Sequence, residues 1–134
     1  MGWLPTAIAQ TSGVGLQDVD YVVDPQNVKA ASGGTATVTY DQVEQGYYWR
    51  VERIVVTTTS TAQTTVSVYV GDVSPINLRD STPLPVGFSA VAEYPAFLTV
   101  PGGQELQIVV SGGATGDAVT ATVQYRLVQR IAGG

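Results

Sequence analysis

The sequence predicts an all-β chain: an antiparallel two-sheet sandwich, jelly-roll-like, of about eight strands behind an extended N-terminal arm. Three observations carry this. Apolar and polar residues alternate with a period of two from residue 35 onward, as half-buried strands require. Turn-forming residues punctuate the chain at strand-length intervals. Every candidate for a long helix is interrupted by glycines or β-branched residues.

Residues 1–34 read as an extended segment and residues 35–134 as the sandwich domain. The first part carries Gly2, Pro5, Gly13, Gly15, Pro25, Gly33 and Gly34 with no long period. Within it, LQDVDYVVD (16–24) suits a short strand. Trp3, Leu4, Pro5 and Ile8 need cover, so the segment either lies along the sandwich or reaches a neighbouring subunit.

Beyond it, TATVTYD (35–41) sets Ala36, Val38 and Tyr40 against threonines. TTVSVYVG (64–71) puts Val66, Val68 and Val70 on one face. QELQIVVSG does the same with Leu106, Ile108 and Val110. DAVTATVQYRLV (117–128) is the longest alternation, with Val119, Ala121, Val123, Tyr125 and Leu127 on its apolar side. One greasy face and one Thr-, Ser- or Gln-rich face is what two packed antiparallel sheets need.

The stretch YYWRVERIVVTTT (47–59) breaks this rule. Trp49 and Val51 share one parity, Ile54 and Val56 the other. One extra residue near Glu52-Arg53 switches parity, so a β-bulge there would bring all four to the core. PGGQ (101–104) reads as a tight turn and SGGATGD (111–117) as a hairpin loop. Residues 81–95, with three prolines, read as an irregular excursion holding one short strand or helical turn.

At 134 residues the chain is about one domain long. It has no cysteine and no histidine, which removes thiol chemistry, the commonest general base and the commonest metal ligand. The net charge is −5, and the nearest approach to a cationic cluster, Arg50 and Arg53, is split by Glu52. Neither nucleic acid nor an anionic membrane surface is an expected partner. No apolar run is long enough to span a bilayer, and no basic region precedes an apolar one as in a secretory signal. The N-terminal string fits the myristoylation pattern, but Trp3 and Pro5 crowd the acceptor glycine.

Sites of chemistry are not expected: no catalytic residue, cofactor or metal. Asp18, Asp20 and Asp24 lack the loop glycine and later bidentate acid of a calcium loop and suit a solvated strand face. Glu93 and Glu105 fall in different segments, which leaves a paired-carboxylate hydrolase without its pair. GGATGD has neither the Gly-Lys-Ser/Thr nor the helix of a phosphate loop. Trp49 shares parity with Val51 and reads as core, whereas Tyr47 and Tyr48 suit a sheet end with hydroxyls in water. Arg50 suits a salt bridge or, at a subunit contact, an anchor.

The run W-R-V-E-R-I-V-V, then T-V-S-V-Y-V-G-D, I-N-L-R-D-S, V-P-G-G-Q-E-L-Q-I-V-V and G-D-A-V-T-A-T-V-Q-Y resembles small β-sandwich virion proteins of tailed bacteriophages. These include capsid decoration (cement) and head-fibre proteins. The resemblance covers about two thirds of the chain. It implies a non-enzymatic protein, assembled in the bacterial cytoplasm, that binds the major capsid protein lattice on the outside of the virion, commonly as a homotrimer. Trp3, Leu4, Pro5, Ile8, Arg50, Tyr47 and Tyr48 are then the candidate interface. The competing expectation is a receptor- or glycan-binding module of a fibre or tail, with aromatics grouped near Tyr47, Tyr48, Tyr69 and Tyr94.

Overall fold

The computed structural model describes residues 16–31 and 33–130. Among the described residues eight strands run in order: β1 (Leu16–Lys29), β2 (Ala36–Thr39), β3 (Tyr47–Thr58), β4 (Thr64–Val70), β5 (Leu78–Leu84), β6 (Ala90–Pro101), β7 (Leu106–Ser111) and β8 (Ala118–Arg130). A 3-10 turn, Pro75–Asn77, precedes β5. The first sheet has the order β1-β8-β3-β6 and the second β2-β7-β4-β5. Within them β1 pairs with β8, β2 with β7, β3 with β6 and β4 with β5, all antiparallel. This is a long hairpin rolled up on itself, the jelly-roll arrangement.

The alternation seen in the sequence lines the core. Val38, Val66, Val68, Val70, Leu106, Ile108 and Val110 point inward from the second sheet, and Val119, Ala121, Val123 and Tyr125 from the first. In β3, Trp49, Val51, Ile54 and Val56 are all buried because the register shifts between Val51 and Arg53 against both neighbours. The expected bulge is present, and it turns Glu52 and Arg53 outward together.

Three features differ from the sequence reading. Residues 16–29 are a strand of the first sheet, with thirteen Cα partners on β8, so the sandwich includes residues ahead of 35. Residues 78–101 hold two strands rather than an irregular excursion. Their prolines are tolerated because β5 and β6 are both edges, where an absent N–H need not face a neighbour. Pro25 sits on the third edge, β1, and the fourth edge, β2, is only four residues long. The loop at 112–117 is not a hairpin, since β7 and β8 belong to different sheets. It is tied instead to the β1–β2 connection: Gly113 N–H donates to Gly34 O at 3.1 Å and Gly116 N–H to Ala30 O at 2.8 Å. PGGQ is the expected tight turn, with Gln104 N–H donating to Pro101 O at 3.1 Å.

Candidate interaction surface

The outer face of the first sheet can be read row by row across four strands. One row holds Tyr21, Arg126, Arg50 and Thr99; the next holds Val23, Gln124, Arg53 and Glu93; a third holds Pro25, Thr122, Val55 and Val91. The first row sets two arginines directly opposite each other, which by itself is unfavourable. The bulge supplies the remedy. Glu52, the extra residue, accepts a hydrogen bond from Arg126 Nε at 2.9 Å. Arg126 also lies over the Tyr21 ring at 5.2 Å, and Arg50 over the Phe97 ring at 4.3 Å. Aromatic, cation, carboxylate, cation and aromatic thus cross the sheet in a belt. Each cation–π contact contributes about 0.5–1 kcal/mol at exposed sites.

Beside the belt lies an open groove of about 420 Å³. On β6, the four residues Tyr94–Phe97 stand opposite Glu52 alone, because Val51 pairs with Leu98 and Arg53 with Glu93. Beside this irregular stretch of β6 lies a hollow walled by Pro95 and Phe97, with Glu52, Arg53, Glu93 and Gln124 around it. Phe97 has φ of 63°, the one positive value at a non-glycine among the described residues. For a bulky side chain that conformation costs on the order of 1–3 kcal/mol.

Trp49 belongs to the core, as its parity indicated. Its ring stacks on Tyr125 at 3.9 Å and meets Tyr40 edge-on at 6.3 Å. The Tyr40 hydroxyl lies 2.9 Å from Ala121 O and 3.1 Å from Asp24 O, linking the end of β2 to the opposite sheet. Burial, then the nearby Asp24 charge, pushes the Tyr40 phenol well above its ordinary value. Tyr125 is raised in the same direction, chiefly by burial. Tyr94 donates to Asp80 Oδ2 at 3.0 Å, joining β6 to β5 across the flank of the sandwich, and burial followed by that hydrogen bond raises it too.

Of the expected interface residues, Arg50 stands on the belt. Tyr47 and Tyr48 are half-buried at the start of β3, Tyr47 packed against the core. Trp3, Leu4, Pro5 and Ile8 lie outside the described residues. The four tyrosines of the competing expectation are not brought together: Tyr47, Tyr48 and Tyr94 are in the first sheet and Tyr69 in the second. Asp20 accepts from the Tyr21 N–H at 2.8 Å and Asp24 from Gln26 Nε2 at 3.1 Å, so each is engaged locally. Among the described residues, no group of three or more His, Cys, Asp or Glu side chains is placed to hold a metal ion. Glu93 lies on β6 and Glu105 just before β7, in opposite sheets.

Sequence reasoning passed over Phe97, Gln124 and the Arg126–Glu52 pair. The outward parity of Arg126 on β8 was visible, but its partner depended on which strands are neighbours.

No family model matches the chain, and no curated protein matches it in sequence. In structure it is similar to a chain from the disulfide-linked pili of Bacillus endospore appendages, with 18% identity and a TM-score of 0.49, covering 95% of this chain and 100% of that one. It is also similar to a chain from the structure of infectious bursal disease virus, Gx strain, with 14% identity and a TM-score of 0.32, covering 98% of this chain and 42% of that one.

Proposed function

We propose that this chain is a non-enzymatic structural protein of a tailed-bacteriophage virion, which binds the outside of the assembled capsid and stabilises it. The observation that supports this reading is the apolar surface left in water at the two ends of β5. Ile76 is 84% exposed and Phe88 68%, with Val73 and Leu78 beside the first and Val86 beside the second. The two groups are roughly 20 Å apart along the strand. Large apolar side chains held this far into solvent are expected where a protein partner covers them.

In this reading the assembled lattice is the partner, and the N-terminal arm with Trp3, Leu4, Pro5 and Ile8 carries a further lattice or inter-subunit contact. Stabilisation then follows from mass action. A protein that binds the assembled shell but not its separate subunits shifts the equilibrium toward the shell by its differential affinity. Repeated contacts around the capsid sum. Any such assembly forms without disulfides, since the chain has no cysteine.

Co-sedimentation with purified capsid heads tests the proposal. The full chain should pellet with heads at a fixed number of copies per hexamer. Deleting residues 1–15, or the double change Ile76→Ser and Phe88→Ser, should release a folded protein into the supernatant. Undiminished retention of both variants would end the proposal.

A further inference from the structure

The groove beside the β3 bulge has a composition that the capsid reading does not require. We propose that it is a binding site for a neutral saccharide, independent of the contacts that hold the protein on a shell. Three features of the groove point to that ligand class.

The first is balanced polarity. A sugar hydroxyl both donates and accepts, so its site needs both kinds of partner close together. Arg53 and Glu93 face each other in register on β3 and β6, one a donor and the other an acceptor, and both are exposed. Glu52 has Oε2 engaged by Arg126, which leaves Oε1 to accept. Gln124 Oε1 accepts from the Tyr21 hydroxyl at 3.0 Å, which directs its amide N–H groups to donate elsewhere. The second feature is charge. Glu52 is neutralised by Arg126, and Glu93 is opposed by Arg53, so the groove selects for neither anion nor cation.

The third feature is the wall. Phe97 and Pro95 present apolar surface to the groove, the kind of surface on which the C–H face of a pyranose ring packs. The Phe97 backbone is held in the left-handed region, where a phenylalanine is strained, and Arg50 covers its ring at 4.3 Å. Strain of this kind persists where the surroundings enforce it, and it gathers at binding sites. The groove is open, so binding in the millimolar range is expected.

The strain also makes a clean test possible. Glycine adopts positive φ without penalty, so Phe97→Gly removes the wall while relieving the backbone, and the fold survives it. The full-length chain is titrated with glucose, galactose, mannose and N-acetylglucosamine, and with sialic acid as an anionic control. The readout is the backbone amide resonances. At least one neutral sugar should shift amides of Glu52, Arg53, Glu93, Phe97 and Gln124, and Phe97→Gly and Glu93→Gln should each weaken that binding about tenfold. Four results would overturn the assignment: no shift with any neutral sugar, shifts undiminished in Phe97→Gly, a response to sialic acid alone, or perturbation of these amides by capsid shells and by no sugar.

Discussion

Arg126 on β8 reaches across to Glu52, the one residue that the bulge adds to β3, and donates Nε to Oε2 at 2.9 Å. The side chains are 42% and 29% exposed, so water and salt screen the pair. Replacing Glu52 with Gln removes the carboxylate that pairs with Arg126, which stands opposite Arg50. The expected loss is about 0.5–1 kcal/mol in urea unfolding at low salt, shrinking toward zero in molar salt. A loss that is independent of salt would mean the carboxylate acts through packing rather than charge.

Thr64 is a site of gain. Its Oγ1 is buried and has no hydrogen-bond partner among the described residues, on a strand whose inward neighbours are valines. Thr64→Val keeps the branched shape and removes the unsatisfied hydroxyl. Stability should rise by about 1 kcal/mol, read as a higher midpoint in thermal or urea unfolding. A fall in midpoint would show that the hydroxyl is satisfied in solution.

Gly34 is expected to be the least replaceable residue of the β1–β2 connection. Its φ is +78°, and a Cβ there would overlap the carbonyl oxygen of Gly113, in the loop to which it is hydrogen-bonded. Gly34→Ala should cost more than about 2 kcal/mol. The neighbouring Gly33 also has positive φ, +94°, but open space around it. Gly33→Ala should therefore cost only about 1 kcal/mol. Equal losses in the two variants would show that backbone strain, not the contact with Gly113, sets the penalty.

Alkaline pH should unfold the protein through its buried phenols. Tyr40, Tyr94 and Tyr125 are all raised in the folded state, with burial the leading cause. Below the ordinary phenol value of about 10 both states keep the proton and nothing is lost. Above it the unfolded chain ionises first, so stability falls as pH climbs toward the folded values. Urea midpoints should be flat up to about pH 9 and drop beyond pH 10, and Tyr94→Phe should make that drop shallower. An unchanged slope in Tyr94→Phe would remove Tyr94 from the account.

Strand parity was legible in the sequence, and so was its one interruption. Trp49, Val51, Ile54 and Val56 cannot all be core without an inserted residue, and the insertion is there. Pro83 and Pro95 misled because a proline argues against a strand only when both sides of that strand are paired. Which strands are edges depends on the order of the whole sheet. The same holds for the surface. Glu52 meets Arg126 across 74 positions of chain, and the groove exists because four residues of β6 oppose one of β3. No local pattern encodes a relation between strands so far apart. Phe97 carried no signal at all, since its backbone conformation goes with the irregular pairing of β6 against the β3 bulge.

The place of β8 has a consequence for how the molecule is made. It is the last strand of the described residues, yet it lies between β1 and β3 and pairs with both along most of its length. A nascent polypeptide therefore holds β1 unpaired on that side until residues 118–130 have been synthesised. Joining Leu16 to Arg130 closes the longest loop among the described strand pairings, a topology associated with slow folding. Until β8 leaves the ribosome, half of the sandwich has no middle, and chains stalled before residue 118 should remain protease-sensitive.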